Sequence, residues 1–199
     1  MNSVYYMHNV DSISGMEGVE VIGETEFMVP VQGGSFEWRG YGLKLHVPEG
    51  NLSAGMTICR VDIRVSLRGQ FQLPNGSDLL SPVFWISTPC KFLKPVTLEI
   101  QHCAPREDET VLSDLSFVTA RCSQEDLPYR FKLVDGGVFT THCSYGSIQL
   151  SHFSGKGVVG RKRTPRSYCA HLYHTKKLIH DWRFYLAITQ DLDAQLTVS

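Results

Sequence analysis

Hydrophobic and polar residues alternate with a period of two along much of the chain from Phe36 onward. The pattern is clearest where Cys59, Val61, Ile63, Val65 and Leu67 interleave with Arg60, Asp62, Arg64, Ser66 and Arg68. Successive side chains of a strand point to opposite faces, so this spacing predicts a half-buried strand with one apolar and one polar face. The same parity marks Leu43, Leu45 and Val47, then Val96, Leu98 and Ile100, then Phe131 and Leu133, then Ile148 and Leu150 as the inward faces of further strands. Pro48 with Gly50, Pro74 with Asn75 and Gly76, Pro105, Pro128, and Asp135 with Gly136 and Gly137 punctuate these runs at intervals suited to short antiparallel strands. Helical periodicity is almost absent. The expected fold is all-β, an antiparallel β-sandwich of short strands over residues 36–155.

The pattern weakens on both sides of that span. Residues 1–35 mix Gly, Ser, Glu and isolated hydrophobics and end in a Gly-Gly-Ser break, which reads as a flexible leader. From Gly155 to Ser167 the chain has three glycines, five basic residues (Lys156, Arg161, Lys162, Arg163, Arg166) and no acid. Residues 156–167 therefore read as a basic, Gly-rich linker. In residues 168–199 alternation returns: Trp182, Phe184, Leu186 and Ile188 share one face opposite Arg183 and Tyr185. A segment that short cannot build its own core, so it is expected to be the incomplete beginning of a second module, adding a few C-terminal strands.

Composition narrows the function. Hydrophobic residues make up 42% and charged residues 20% of 199 residues, an ordinary globular balance. A formal net charge of −1 argues against nucleic acid as a partner, since binding it needs a clustered excess of cations. No apolar run approaches the length needed to cross a bilayer, so no direct membrane insertion is expected. The six cysteines, Cys59, Cys90, Cys103, Cys122, Cys143 and Cys169, form no close pair of the zinc or redox kind. They read as free buried thiols in a reducing, cytoplasmic setting, although six cysteines also permit disulfide pairing.

Three motifs in order carry a family resemblance. The run Glu37 to Leu52, EWRGYGLKLHVPEGNL, is similar to the opening of the ZU-five domain of zonula occludens scaffolds, Unc-five netrin receptors and ankyrins. Leu79 to Ala104, with its S-P-V and K-P-V-T-L words, and Gly136 to Ser154 extend the similarity over about 120 residues from Trp38. Tyr168 to Ala194 resembles the start of the UPA module that follows ZU-five in such proteins. The resemblance implies an intracellular signalling adaptor that binds cytoskeletal or death-signalling proteins or packs on its UPA-like neighbour, with no cofactor, no metal and no conventional enzyme site.

It also implies one chemical alternative. Family members that cut themselves, such as PIDD, do so between Phe and Ser of a His-Phe-Ser tripeptide, here His152, Phe153 and Ser154. Ser154 Oγ would attack the Phe153 carbonyl in an N-to-O acyl shift, and His152 is the first candidate base. The parity of His152 with Ile148 and Leu150 aims its ring inward if the strand stays regular, and Gly155 would permit the kink needed to reach Ser154. The competing expectation is a core histidine at the end of a plain strand. His102 and His142, at or near strand ends, are further candidate bases or zinc ligands, more often polar caps. Cys169, His171 and His174 cluster, but alternation puts His171 and His174 on opposite faces, against a metal site. Because ankyrins bind spectrin repeats through a basic ZU-five surface, Arg60, Arg64 and Arg68 on one face suggest a docking stripe, against the plain alternative of an outer strand's solvent side.

Overall fold

The computed structural model describes residues 16–122 and 127–162, and the backbone of 170–177 and 181–188. The strands run in chain order as β1 (Val19–Pro30), β2 (Gly34–Trp38), β3 (Leu43–Val47), β4 (Ile58–Gly69), β5 (Phe71–Gln72), β6 (Ser77–Leu79) and β7 (Val83–Ser87). After them come β8 (Val96–Gln101), helix α1 (Glu109–Ser113), β9 (Ser116–Ala120), β10 (Tyr129–Arg130), β11 (Lys132–Val134), β12 (Tyr145–Leu150) and β13 (Gly155–Arg161). A hairpin of β14 (Ala170–Lys177) and β15 (Asp181–Ile188) completes them. The larger sheet has the order β1-β4-β7-β13-β9-β11, with β6 also paired to β13, and the smaller sheet the order β12-β8-β3-β2. All pairs within these two sheets are antiparallel, so the expected all-β sandwich is what forms.

Parity builds the principal core. Leu43, Leu45 and Val47 of β3, Val96, Leu98 and Ile100 of β8, and Ile148 and Leu150 of β12 are buried. They pack in one cluster with Val61, Ile63 and Val65 of β4, Phe84 and Ile86 of β7, Phe117 of β9 and Val158 of β13. Each such side chain contributes on the order of 1.5–3 kcal/mol relative to an exposed one.

The larger sheet is also covered on its other face. Trp85, Val83, Val118, Ala120 and Val159 form a second core with Met16, Tyr129 and Phe131. The parallel pairing of β5 with β10 lays Phe71 and Tyr129 beside each other over this face. Trp85 Nε1 donates to the buried Ser66 Oγ at 2.9 Å, satisfying both polar groups. This second layer explains two departures from simple alternation. Ser66 is buried and Leu67 only half-buried at the end of β4. Phe131 is buried in the second core, while Leu133, expected to face inward, is 56% exposed on the edge strand β11.

Two boundaries expected from sequence move. Residues 19–30 are not leader: β1 pairs with β4 from Val19↔Gly69 to Pro30↔Ile58 and forms an edge of the larger sheet. Nor do residues 156–161 belong to a linker, because β13 lies inside the larger sheet between β9 and the β7/β6 pair, its first six residues buried. A strand covered on both faces need not alternate, which is why its glycines and Lys156 disguise it. Beyond it, β14 and β15 pair in register from Ala170↔Ile188 to Lys177↔Asp181. Residues 1–15 of the expected leader, residues 163–167 of the expected linker, and all side chains of 168–199 lie outside the described residues.

Candidate functional site

β12 ends at Leu150, and the chain turns through residues 151–154 as it crosses from the smaller sheet to the larger one. The three residues singled out for self-cleavage occupy this corner, but they do not form the expected pair. His152 is exposed rather than inward, because the strand has ended before it, and its Nδ1 is 3.3 Å from Ser151 Oγ. Phe153 packs edge-on against Phe92 with ring centroids 5.6 Å apart. The backbone of Ser154 is fixed where its carbonyl accepts from Ile86 N–H at 3.3 Å.

Ser154 turns its hydroxyl to the larger sheet. Its Oγ is 2.7 Å from Thr119 Oγ1, and Thr119 Oγ1 in turn accepts from Lys156 Nζ at 2.9 Å. Lys156 pairs with Thr119 of β9 on one side and Phe84 of β7 on the other, so it shares the face that meets the principal core. Its side chain is 1% exposed, and no carboxylate among the described residues forms an ion pair with it. Burial pushes its pKa down from the usual lysine value to about 8. Sequence pointed to Ser154 but missed Thr119 and Lys156. The only clue was a lysine two residues beyond the serine, hidden by assigning that stretch to a linker.

Gly155 serves space rather than a kink. A Cβ there would stand 2.6 Å from the Trp85 ring, and its φ lies outside the left-handed region.

The other candidates fall elsewhere. His102 is 2% exposed, both ring nitrogens lack a hydrogen-bond partner, and its ring meets Phe139 edge-on at 5.6 Å. Burial, aided by the Arg106 charge, lowers its pKa to about 4 and holds it neutral. It is thus a core residue rather than a polar cap. His142 has φ 62, in the left-handed region, and its N–H donates to the Arg106 carbonyl at 3.0 Å. Among the described residues no group of three metal-ligating side chains gathers, and the Cys169, His171 and His174 side chains lie outside them.

Arg60 and Arg64 share one face of β4 with glutamates of β1 against them, while Arg68 lies beyond a register shift in the β1–β4 ladder. Arg64 Nε is 3.4 Å from Glu24, Arg60 is 3.8 Å from Glu26 and 3.1 Å from Asp62, and Arg68 lies opposite Glu20 in the ladder. The face therefore carries charges of both signs. Met28 and Ile58, 45% and 48% exposed, extend the same face toward the end of the pair.

Cysteine chemistry differs from the sequence expectation. Cys59, at the start of β4, and Cys90, in the connection between β7 and β8, are joined by a disulfide with Cα atoms 6.3 Å apart. Cys103, Cys122 and Cys143 remain thiols. Two of the six cysteines are therefore not free thiols, and the inference of a reducing compartment loses that support. No helix among the described residues is long and apolar enough to cross a membrane.

No curated protein matches this chain. The corner holding His152, Phe153 and Ser154 lies beyond the span recognised by a family model. That model matches residues 25–115, from the middle of β1 to just past α1, and is the ZU5 domain, a family of protein-interaction domains.

Proposed function

We propose that the chain is a protein-interaction module in intracellular signalling, resembling the cytoplasmic regions of Unc-five netrin receptors and ankyrins. Its sandwich holds a cytoskeletal or death-signalling protein, or packs on a UPA-like neighbour begun by the β14–β15 hairpin. The ZU5 match across β1 to α1 carries this reading. In a cytoplasmic setting the Cys59–Cys90 pair would be held mainly as thiols. The docking face is that of β1 and β4, where exposed Met28 and Ile58 adjoin the Arg60, Arg64 and Arg68 row. The test is surface plasmon resonance of the full chain on immobilised spectrin repeats and on a purified death domain. Saturable binding to one of them, weakened at least tenfold in a folded Arg60→Glu/Arg64→Glu/Arg68→Glu variant, is expected. Binding to neither defeats the partner assignment, and undiminished binding by the variant defeats the docking face.

The hydrogen-bonded Ser154 hydroxyl favours a second reading, a single self-cleavage between Phe153 and Ser154. It is a single-turnover event and not enzymatic turnover. The position of the bond at the crossover between sheets supports this reading, because fragments 1–153 and 154–199 would remain joined through the ladders of β13. On a denaturing gel the native chain should give those two fragments and Ser154→Ala one full-length band. A single band from the native chain removes this reading and leaves the interaction module.

A further inference from the structure

A lysine inside a sandwich, with no carboxylate beside it, is costly unless its amine has a use. Lys156 is such a residue, and it donates to a hydroxyl that also touches the Ser154 nucleophile. We propose that Lys156 and Thr119 form the proton relay that activates Ser154 for cleavage of its own peptide bond, Lys156 accepting through Thr119 the proton that leaves Ser154 Oγ. This proposal rests on the self-cleavage reading and assigns the base within it.

The relay is continuous from Ser154 Oγ to Thr119 Oγ1 at 2.7 Å and on to Lys156 Nζ at 2.9 Å. With Nζ charged, Lys156 donates to Thr119. With Nζ neutral, its lone pair accepts the Thr119 proton while Thr119 accepts that of Ser154. Burial brings the neutral amine within reach near physiological pH by lowering the lysine to about 8. The residues paired with Lys156 across the ladder, Thr119 and Phe84, carry no charge. His152 cannot take this place from where it stands, since its ring is exposed and turned to Ser151.

The chemistry balances without a cofactor. Ser154 Oγ bonds to the Phe153 carbonyl carbon as its proton passes through Thr119 to Lys156. The resulting tetrahedral centre collapses by breaking the bond to the Ser154 nitrogen, which receives that proton back and becomes the free amine. The ester left behind takes up one water, releasing the Phe153 carboxylate and restoring the Ser154 hydroxyl. Thr119 touches the reacting oxygen, and Lys156 is a positioning residue acting through it.

The chain is prepared unfolded in denaturant, where the relay is not assembled, then refolded into buffers from pH 6 to pH 10. Fragments 1–153 and 154–199 are followed on denaturing gels. The native sequence should cleave faster as pH rises through about 8 and then level off. Lys156→Met, Lys156→Arg and Thr119→Val, each shown folded by circular dichroism, should slow cleavage about a hundredfold or more and lose that pH step. Two fragments from the native chain with an unchanged rate and pH profile in folded Lys156→Met or Thr119→Val overturn the relay alone. A single band from the native chain at every pH overturns self-cleavage, and the relay with it.

Discussion

The ring of Trp85 occupies the space a side chain at residue 155 would need, so that a Cβ on Gly155 would lie 2.6 Å from it. The contact locks β13 against β7 directly after the crossover, with Trp85 also tied to Ser66. Gly155→Ala should cost about 1–3 kcal/mol, because the Trp85 ring is held in a filled core and cannot retreat freely. Chemical denaturation checks it. In the double variant Gly155→Ala/Trp85→Leu the cost of the added methyl should shrink, since the opposing ring is gone.

His102 makes stability depend on acidity. Its folded pKa of about 4 lies below the ordinary value of 6.5, so the unfolded chain binds more protons between the two. Its contribution is fully present above pH 6.5 and is lost as pH falls toward 4, by about 3 kcal/mol in all. Urea midpoints measured across that window should fall with pH, and the slope should be smaller in His102→Phe than in the native sequence.

Lys156 works in the same direction in a more alkaline window. Its folded pKa of about 8 lies below the usual 10.5, so below pH 8 folding carries the cost of burying an ammonium, which is relieved as pH climbs toward 10.5. Lys156→Met should therefore raise stability by about 1–3 kcal/mol at pH 7, and by less at pH 10. A variant no more stable at pH 7 would place the Lys156 amine in a better-solvated environment than its 1% exposure implies.

The Cys59–Cys90 bond closes a loop with a sequence separation of 31 across the start of β4 and the connection after β7. A crosslink of that span restricts the unfolded chain, and opening it should cost about 3–4 kcal/mol. Oxidised protein should lose that much stability on reduction, while a Cys59→Ser/Cys90→Ser variant should be insensitive to reductant.

Strands that face a core on one side and polar surroundings on the other were readable directly. β3, the first part of β4, β8 and β12 bury the alternate residues their patterns pick out. β1 was missed because its glutamates, glycine and scattered apolar residues suit an exposed edge, whose polarity serves against pairing with other chains. β13 was missed for the converse reason, being covered on both faces. Leu133 alternates correctly with Phe131, but the second core above the sheet had no local signature. At the candidate site, Ser154 was visible as part of a motif, whereas its partner Thr119 lies 35 residues away and meets it only through the β9–β13 register. Cys59 and Cys90 are likewise brought together only by tertiary folding.

The central place of β13 has a mechanical implication. Every residue from Gly155 to Val159 stands opposite a residue of β9 in the ladder, and the strand's two ends are held by β7 and β6. A severed backbone at residue 153 would therefore leave the domain's outline intact, with the downstream piece wedged in as a tenon in its mortise. Only a pull along that strand, strong enough to shear two rows of bonds together, would extract it and split the larger sheet down the middle.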